Sequence, residues 1–86
     1  MVQIEKGMFA RSLAGHDKGQ LYVVWEYDET YVYLTDGRIR TLDRLKKKKR
    51  KHVQVSREIA QISEQCQTQS VIEMEIRKAI KVKEDK

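Results

Sequence analysis

Apolar and polar residues alternate with period two through the first half of the chain and with helical spacing at its end. Leu21, Val23, Trp25 and Tyr27 alternate with Tyr22, Val24 and Glu26, a β-branched and aromatic segment in which one whole set can face a core. Met8 to Leu13 alternates more loosely and reads as the preceding strand. Gly15-His16-Asp17-Lys18-Gly19 lies between them, with a glycine at each end to supply the positive φ angles of a tight reversal. Asp28-Glu29-Thr30 reads as a short polar loop and Tyr31 to Thr35 as a third strand. Asp36-Gly37 is a type I′ hairpin signal, so residues 38 to 42 are expected to pair back on residues 31 to 35, with Ile39 in the core and Arg38 and Arg40 facing solvent. His52-Val53-Gln54-Val55 reads as a closing strand.

From Ser56 onward the period changes. Ile59, Ile62 and Cys66 are spaced three and four apart, and Ile72, Ile76 and Ile80 four apart, which predicts helices over about 56–66 and 71–82, or one long helix. Ser70 and Glu73 have the spacing of a capping box and favour the two-helix division. Lys83 to Lys86 should fray. The expected fold is mostly β: a small SH3-like barrel over residues 1–55, with a basic loop at 44–52, followed by a helical extension over 56–86.

Composition narrows the function classes. At 86 residues and 10.2 kDa the sequence makes one small domain with a thin core, which leaves little room for a catalytic cleft. There is no GxxxxGK loop, no paired-histidine motif and no nucleophile–base constellation, so a non-enzyme is expected. One cysteine, Cys66, and two histidines, His16 and His52, cannot fill a zinc site unaided, so no metal or cofactor is expected. Cys66 on an apolar helical stripe reads as a small buried hydrophobe, and a lone cysteine suits a reducing compartment. The longest apolar run, Leu21 to Trp25, is five residues against roughly 20 for a bilayer span, and no signal-like segment opens the chain. The expectation is a soluble cytoplasmic protein.

Charge changes the picture most. Residues 1–34 carry three basic and five acidic residues, residues 35–52 nine and two, and residues 53–86 six and six, so the net charge of +5 is concentrated in the middle stretch, at +7. That stretch holds Arg38, Arg40 and Arg44, then Lys46, Lys47, Lys48, Lys49, Arg50 and Lys51 without a break. Adjacent cations repel and must be solvated, so the run is a bland exposed loop or the landing site of a polyanion, and its concentration favours the polyanion. No interleaved apolar face suits it to lipid. Lysines would position phosphates, while the arginines can fork onto phosphate or stack on bases. His16 and Lys18 are candidates in the glycine loop, each weighed against ordinary solvent decoration. Among Tyr22, Trp25, Tyr27, Tyr31 and Tyr33, core packing outweighs a stacking platform, with Tyr22 and Tyr33 the candidates for exposure and base stacking. The run from Lys46 to Lys51 also reads as a nuclear localisation signal, which ranks last.

The order Gly7-Met8-Phe9-Ala10-Arg11-Ser12, then Gly15 to Gly19, then Leu21-Tyr22-Val23-Val24, resembles the KOW family, the SH3-like RNA-binding modules of large-subunit ribosomal proteins, their small bacterial relatives and transcription-elongation factors. Tyr31 to Gly37 and then the basic segment from Arg38 to His52 follow at similar spacing, and the end segment Ile72 to Ile80 looks like the helix that closes the bacterial forms. The lysine run is heavier than the motif requires, and the chain from Ser56 onward lies outside the KOW core. The resemblance implies RNA binding, ribosomal RNA foremost, through the Gly15–Gly19 loop and the basic face beside it. Ribosomal or other translation and transcription proteins would be secondary partners. The alternative is a protein-interaction module whose tail stripe, if exposed, needs a partner.

Overall fold

A computed structural model of the chain describes residues 3–62 and 68–84. Five strands, β1 (Met8–Ser12), β2 (Leu21–Tyr27), β3 (Tyr31–Thr35), β4 (Lys46–Lys49) and β5 (Val53–Ile59), form one antiparallel sheet in the order β4-β3-β2-β1-β5. A 3-10 turn, Arg50–His52, joins β4 to β5, and a helix, α1 (Gln69–Glu84), follows. This is the expected mostly β class, a five-stranded antiparallel sheet consistent with a small β-barrel-like domain, with one helix after it among the described residues.

Two packed clusters explain the continuous apolar run of β2. Tyr22 and Val24 turn to one side and join Ile4, Ala10, Val32, Leu34 and Val53. One face of four strands meets in a single cluster, which requires the sheet to curl on itself. Leu21 and Val23 turn to the other side and join Phe9, Ala60, Ile72 and Ile76, with Trp25 and Ile80 packed at the margin. The helix therefore covers the outer face of β1 and β2, and β2 is buried on both sides, as an unbroken apolar strand should be. Register irregularities between Val24 and Glu26 and between Met8 and Ala10 are the bends that let a short sheet curl. No helix among the described residues is long and apolar enough to cross a membrane.

The chain departs from the sequence-based expectation at five places. Residues 38–42 are not a returning strand. The Asp36 carboxylate accepts the backbone N–H groups of Arg38 and Arg40 at 2.8 and 3.0 Å, and the Arg40 carbonyl accepts the Thr35 hydroxyl at 2.7 Å, which curls the chain into a tight loop. Gly37, at φ 74°, is pressed so closely on α1 that a Cβ there would lie 2.4 Å from the Glu73 carbonyl oxygen. Ile39 is consequently 77% exposed at the loop tip rather than in the core.

The second departure is that the basic loop expected at 44–52 is, over Lys46–Lys49, the strand that pairs with β3. The third is the helix expected over 56–66. Residues 56–59 complete β5, residues 60–62 have no regular structure, and Cys66 and its neighbours lie outside the described residues. Isoleucines at helical spacing misled here because Ile59 lies at the end of a strand, opposite Met8.

The fourth is the capping box. Ser70 is inside α1; the Val71 N–H points at the Thr68 hydroxyl at 3.4 Å, and Glu73 reaches instead to the Leu42 N–H at 2.9 Å. The fifth is Lys83, expected to fray, which is helical and pairs with Glu58 at 3.0 Å.

Candidate nucleic-acid interface

A strand of four lysines has poor intrinsic β-propensity, so its register must account for it. Lys46 and Lys48 stand opposite Leu34 and Val32, on the side that faces the barrel interior, while Lys47 and Lys49 stand opposite Tyr33 and Tyr31 on the outer side. The inner lysines cover the barrel rim with their methylene stems and carry their ammonium groups to Asp17 in the β1–β2 loop. Lys48 Nζ lies 2.8 Å from Asp17 Oδ1 and donates to the Ala14 carbonyl at 2.8 Å, and Lys46 Nζ lies 3.8 Å from Asp17 Oδ2. Ser12 and Tyr22 donate their hydroxyls to the same carboxylate at 2.9 and 2.8 Å.

Burial alone would raise the Asp17 pKa, but the hydrogen bonds from Lys48, Tyr22 and Ser12, with the Lys48 charge, outweigh it and hold the carboxyl far below the usual carboxylate range. Burial and the bond to Asp17 push the Tyr22 phenol well above its ordinary value. The β1–β2 loop is thereby clamped to β4.

The clamp removes two sequence candidates from the exposed surface. Tyr22, expected exposed for base stacking, is 2% exposed with its hydroxyl committed to Asp17. The Lys48 side chain is 10% exposed and ion-paired, so its charge is spent inside the protein. Lys46 is half-buried in the same pairing.

The remaining candidates divide by exposure. His16 and Lys18 stand exposed on the loop, Arg38 and Arg44 on the connection from β3 to β4, and Lys47, Lys49 and Lys51 on the outer side of β4 and just after it. Arg40 and Arg50 are half-buried, and the Arg50 guanidinium lies 5.9 Å from the Tyr27 ring centroid. Tyr33 is half-buried and donates its hydroxyl to Asp28 at 3.1 Å. Lys47 Nζ sits 4.2 Å from the Tyr31 ring centroid, a cation–π contact on the outer face. The outer side of β4 thus sets lysines opposite half-buried tyrosines across the ladder, a surface that can offer charge to phosphates.

Sequence reasoning missed a second group of cations. Arg77, Lys78 and Lys81 of α1 line a groove with Arg38, although the segment that contains them is net neutral. Their spacing of one and three was the available signal, since it puts all three beside the Ile72–Ile76–Ile80 stripe. The stripe itself is internal: Ile72 and Ile76 are buried and Ile80 is half-buried against the sheet. Among the described residues, no group of three or more His, Cys, Asp and Glu side chains could hold a metal ion. Neither a model of a known protein family nor a curated protein matches the sequence.

Proposed function

We propose that the protein is an RNA-binding module of the KOW type that binds ribosomal RNA and associates with the large ribosomal subunit in the cytoplasm. The observation that carries this reading is the division of labour in β4. An edge strand is protected from pairing with other chains by one or two lysines, and the inward pair at Lys46 and Lys48 already meets that need. Lys47, Lys49 and Lys51, with Arg44, are surplus to it and stay exposed, Lys47 and Lys49 opposite Tyr33 and Tyr31. Capture would be electrostatic, with the loop that carries His16 and Lys18 entering an RNA groove next to the strand. Four phosphates neutralised by these four cations would give a slope of log K against log salt of about −2.8 on the single-strand coefficient, and steeper on duplex.

The test is co-sedimentation of the full chain with ribosomal subunits across a salt series, beside a Lys47→Ala/Lys49→Ala/Lys51→Ala variant. Neutralising the whole run would be uninformative, because Lys48 is structural. Binding to the large subunit that weakens with salt, on a slope shallower by about 2 in the variant, supports the reading. No binding to ribosomes or free RNA at low salt overturns it. The alternative, a protein-interaction module of the transcription or translation machinery, draws on Ile39, an exposed apolar tip between two arginines. An Ile39→Ser variant that loses ribosome association while keeping its affinity for free RNA would favour that alternative.

A further inference from the structure

Between α1, the end of the β1–β2 loop and the Asp36–Arg40 loop lies an open groove of about 550 Å³. Its floor includes Leu21 and Ile80, and its walls carry Arg38, Arg77, Lys78 and Lys81 against two carboxylates, Asp36 and Glu84. Both carboxylates are already used inside the protein. Asp36 accepts the N–H groups of Arg38 and Arg40 and the Gln20 side-chain amide, and Glu84 pairs with Arg11 at 3.4 Å. Arg77 is half engaged, donating to the Gly37 carbonyl at 2.5 Å. Arg38, Lys78 and Lys81 are exposed and have no partner among the described residues.

A lysine in the last turns of a helix offsets the helix dipole, which accounts for Lys81 but not for Arg38 or Lys78. Three uncommitted cations from two elements about forty positions apart therefore converge on one concavity with an apolar floor. Like charges in such a cleft focus the positive potential, and a bound anion relieves their repulsion.

We infer that this groove holds the phosphate backbone of RNA as a second contact, separate from β4. The inference rests on the RNA-binding reading and extends it to the helix. The β1–β2 loop touches both elements: Asp17 is tied to Lys46 and Lys48 of β4, and Gly19 and Gln20 line the groove. A ligand with repeated charges fits two separated cationic surfaces better than a single small anion does.

The test measures binding of the full chain to labelled poly(U) and to a labelled RNA hairpin by fluorescence anisotropy across a salt series. An Arg38→Ala/Lys78→Ala/Lys81→Ala variant is compared with the β4 triple variant above. Three lost phosphate contacts should make the salt slope shallower by about 2, with the melting temperature unchanged and with the effect added to that of the β4 variant. Wild-type binding with the groove variant unchanged in slope and affinity overturns the inference and leaves the RNA reading standing. No wild-type RNA binding at low salt overturns both. Unchanged RNA binding with lost affinity for poly-glutamate overturns it in favour of an acidic protein segment. Inorganic phosphate that displaces the RNA at millimolar concentration from the wild type, but equally from the groove variant, also counts against the groove.

Discussion

Lys48→Ala should destabilise the fold strongly although it removes one lysine from a run of four. The substitution leaves the Asp17 carboxylate, 11% exposed, with only the Ser12 and Tyr22 hydroxyls and the more distant Lys46, and it frees the Ala14 carbonyl. Removing one partner of a buried ion pair costs about 3–5 kcal/mol. Here both groups lie at the barrel rim and Lys46 remains 3.8 Å away, so about 2–3 kcal/mol is the expected loss. That is a large share of the roughly 4–13 kcal/mol total stability of a domain this size. It corresponds to a fall in melting temperature of roughly 10–20 °C. Lys49→Ala, exposed and without a partner among the described residues, should stay within about 0.5 kcal/mol of wild type. Lys48→Met keeps the stem and should recover only the packing part of the loss. Urea unfolding followed by Trp25 fluorescence measures all three variants. If Lys48→Ala shifts the midpoint no further than Lys49→Ala, the clamp does not hold the fold and the argument fails.

Three further outcomes are expected. Asp17 has a folded-state pKa far below its ordinary value of 3.8, so its contribution to stability is present above about pH 4 and is lost as pH falls below that. Acid titration of stability should therefore be steeper in wild type than in Asp17→Asn, and equal slopes would contradict the pairing. Gly37→Ala places a Cβ against α1 at a positive φ and should cost about 2–4 kcal/mol in thermal unfolding, with loss of the Arg77 contact to the loop. Ile76→Ala empties a fully buried site between helix and sheet and should cost about 2–5 kcal/mol by urea unfolding; an exposed tail stripe would cost far less.

The first three strands and the final helix could be read from periodicity and turn residues, because each depends on neighbours close in sequence. Leu21 to Tyr27 alternates, Gly15 and Gly19 do adopt positive φ, and the isoleucines at 72, 76 and 80 define one helical face. The lysine strand could not be read this way. Its strand character comes from the β3 ladder and from Asp17, about thirty residues away, and no local property of four lysines announces either. The chain does bend at Asp36-Gly37, but the bonds from Asp36 to the Arg38 and Arg40 N–H groups curl it into a loop, and β3 pairs with Lys46–Lys49 instead of residues 38–42. The candidate site was legible as a concentration of charge and illegible as a geometry. Composition counts cations and cannot say which are neutralised, so Lys48 reads as available, while Arg77, Lys78 and Lys81 read as balanced by the six acids of their segment.

What the chain carries locally is the alternation of its strands, the stripe of its helix and the placement of its excess charge. Long-range packing supplied the rest: the sheet order, the clamp that turns two lysines inward, and the groove where the helix meets the loop after β3. The reason is physical. Backbone periodicity and turn chemistry act over a few residues, whereas ion pairing and burial depend on which distant segments the collapsed core brings together.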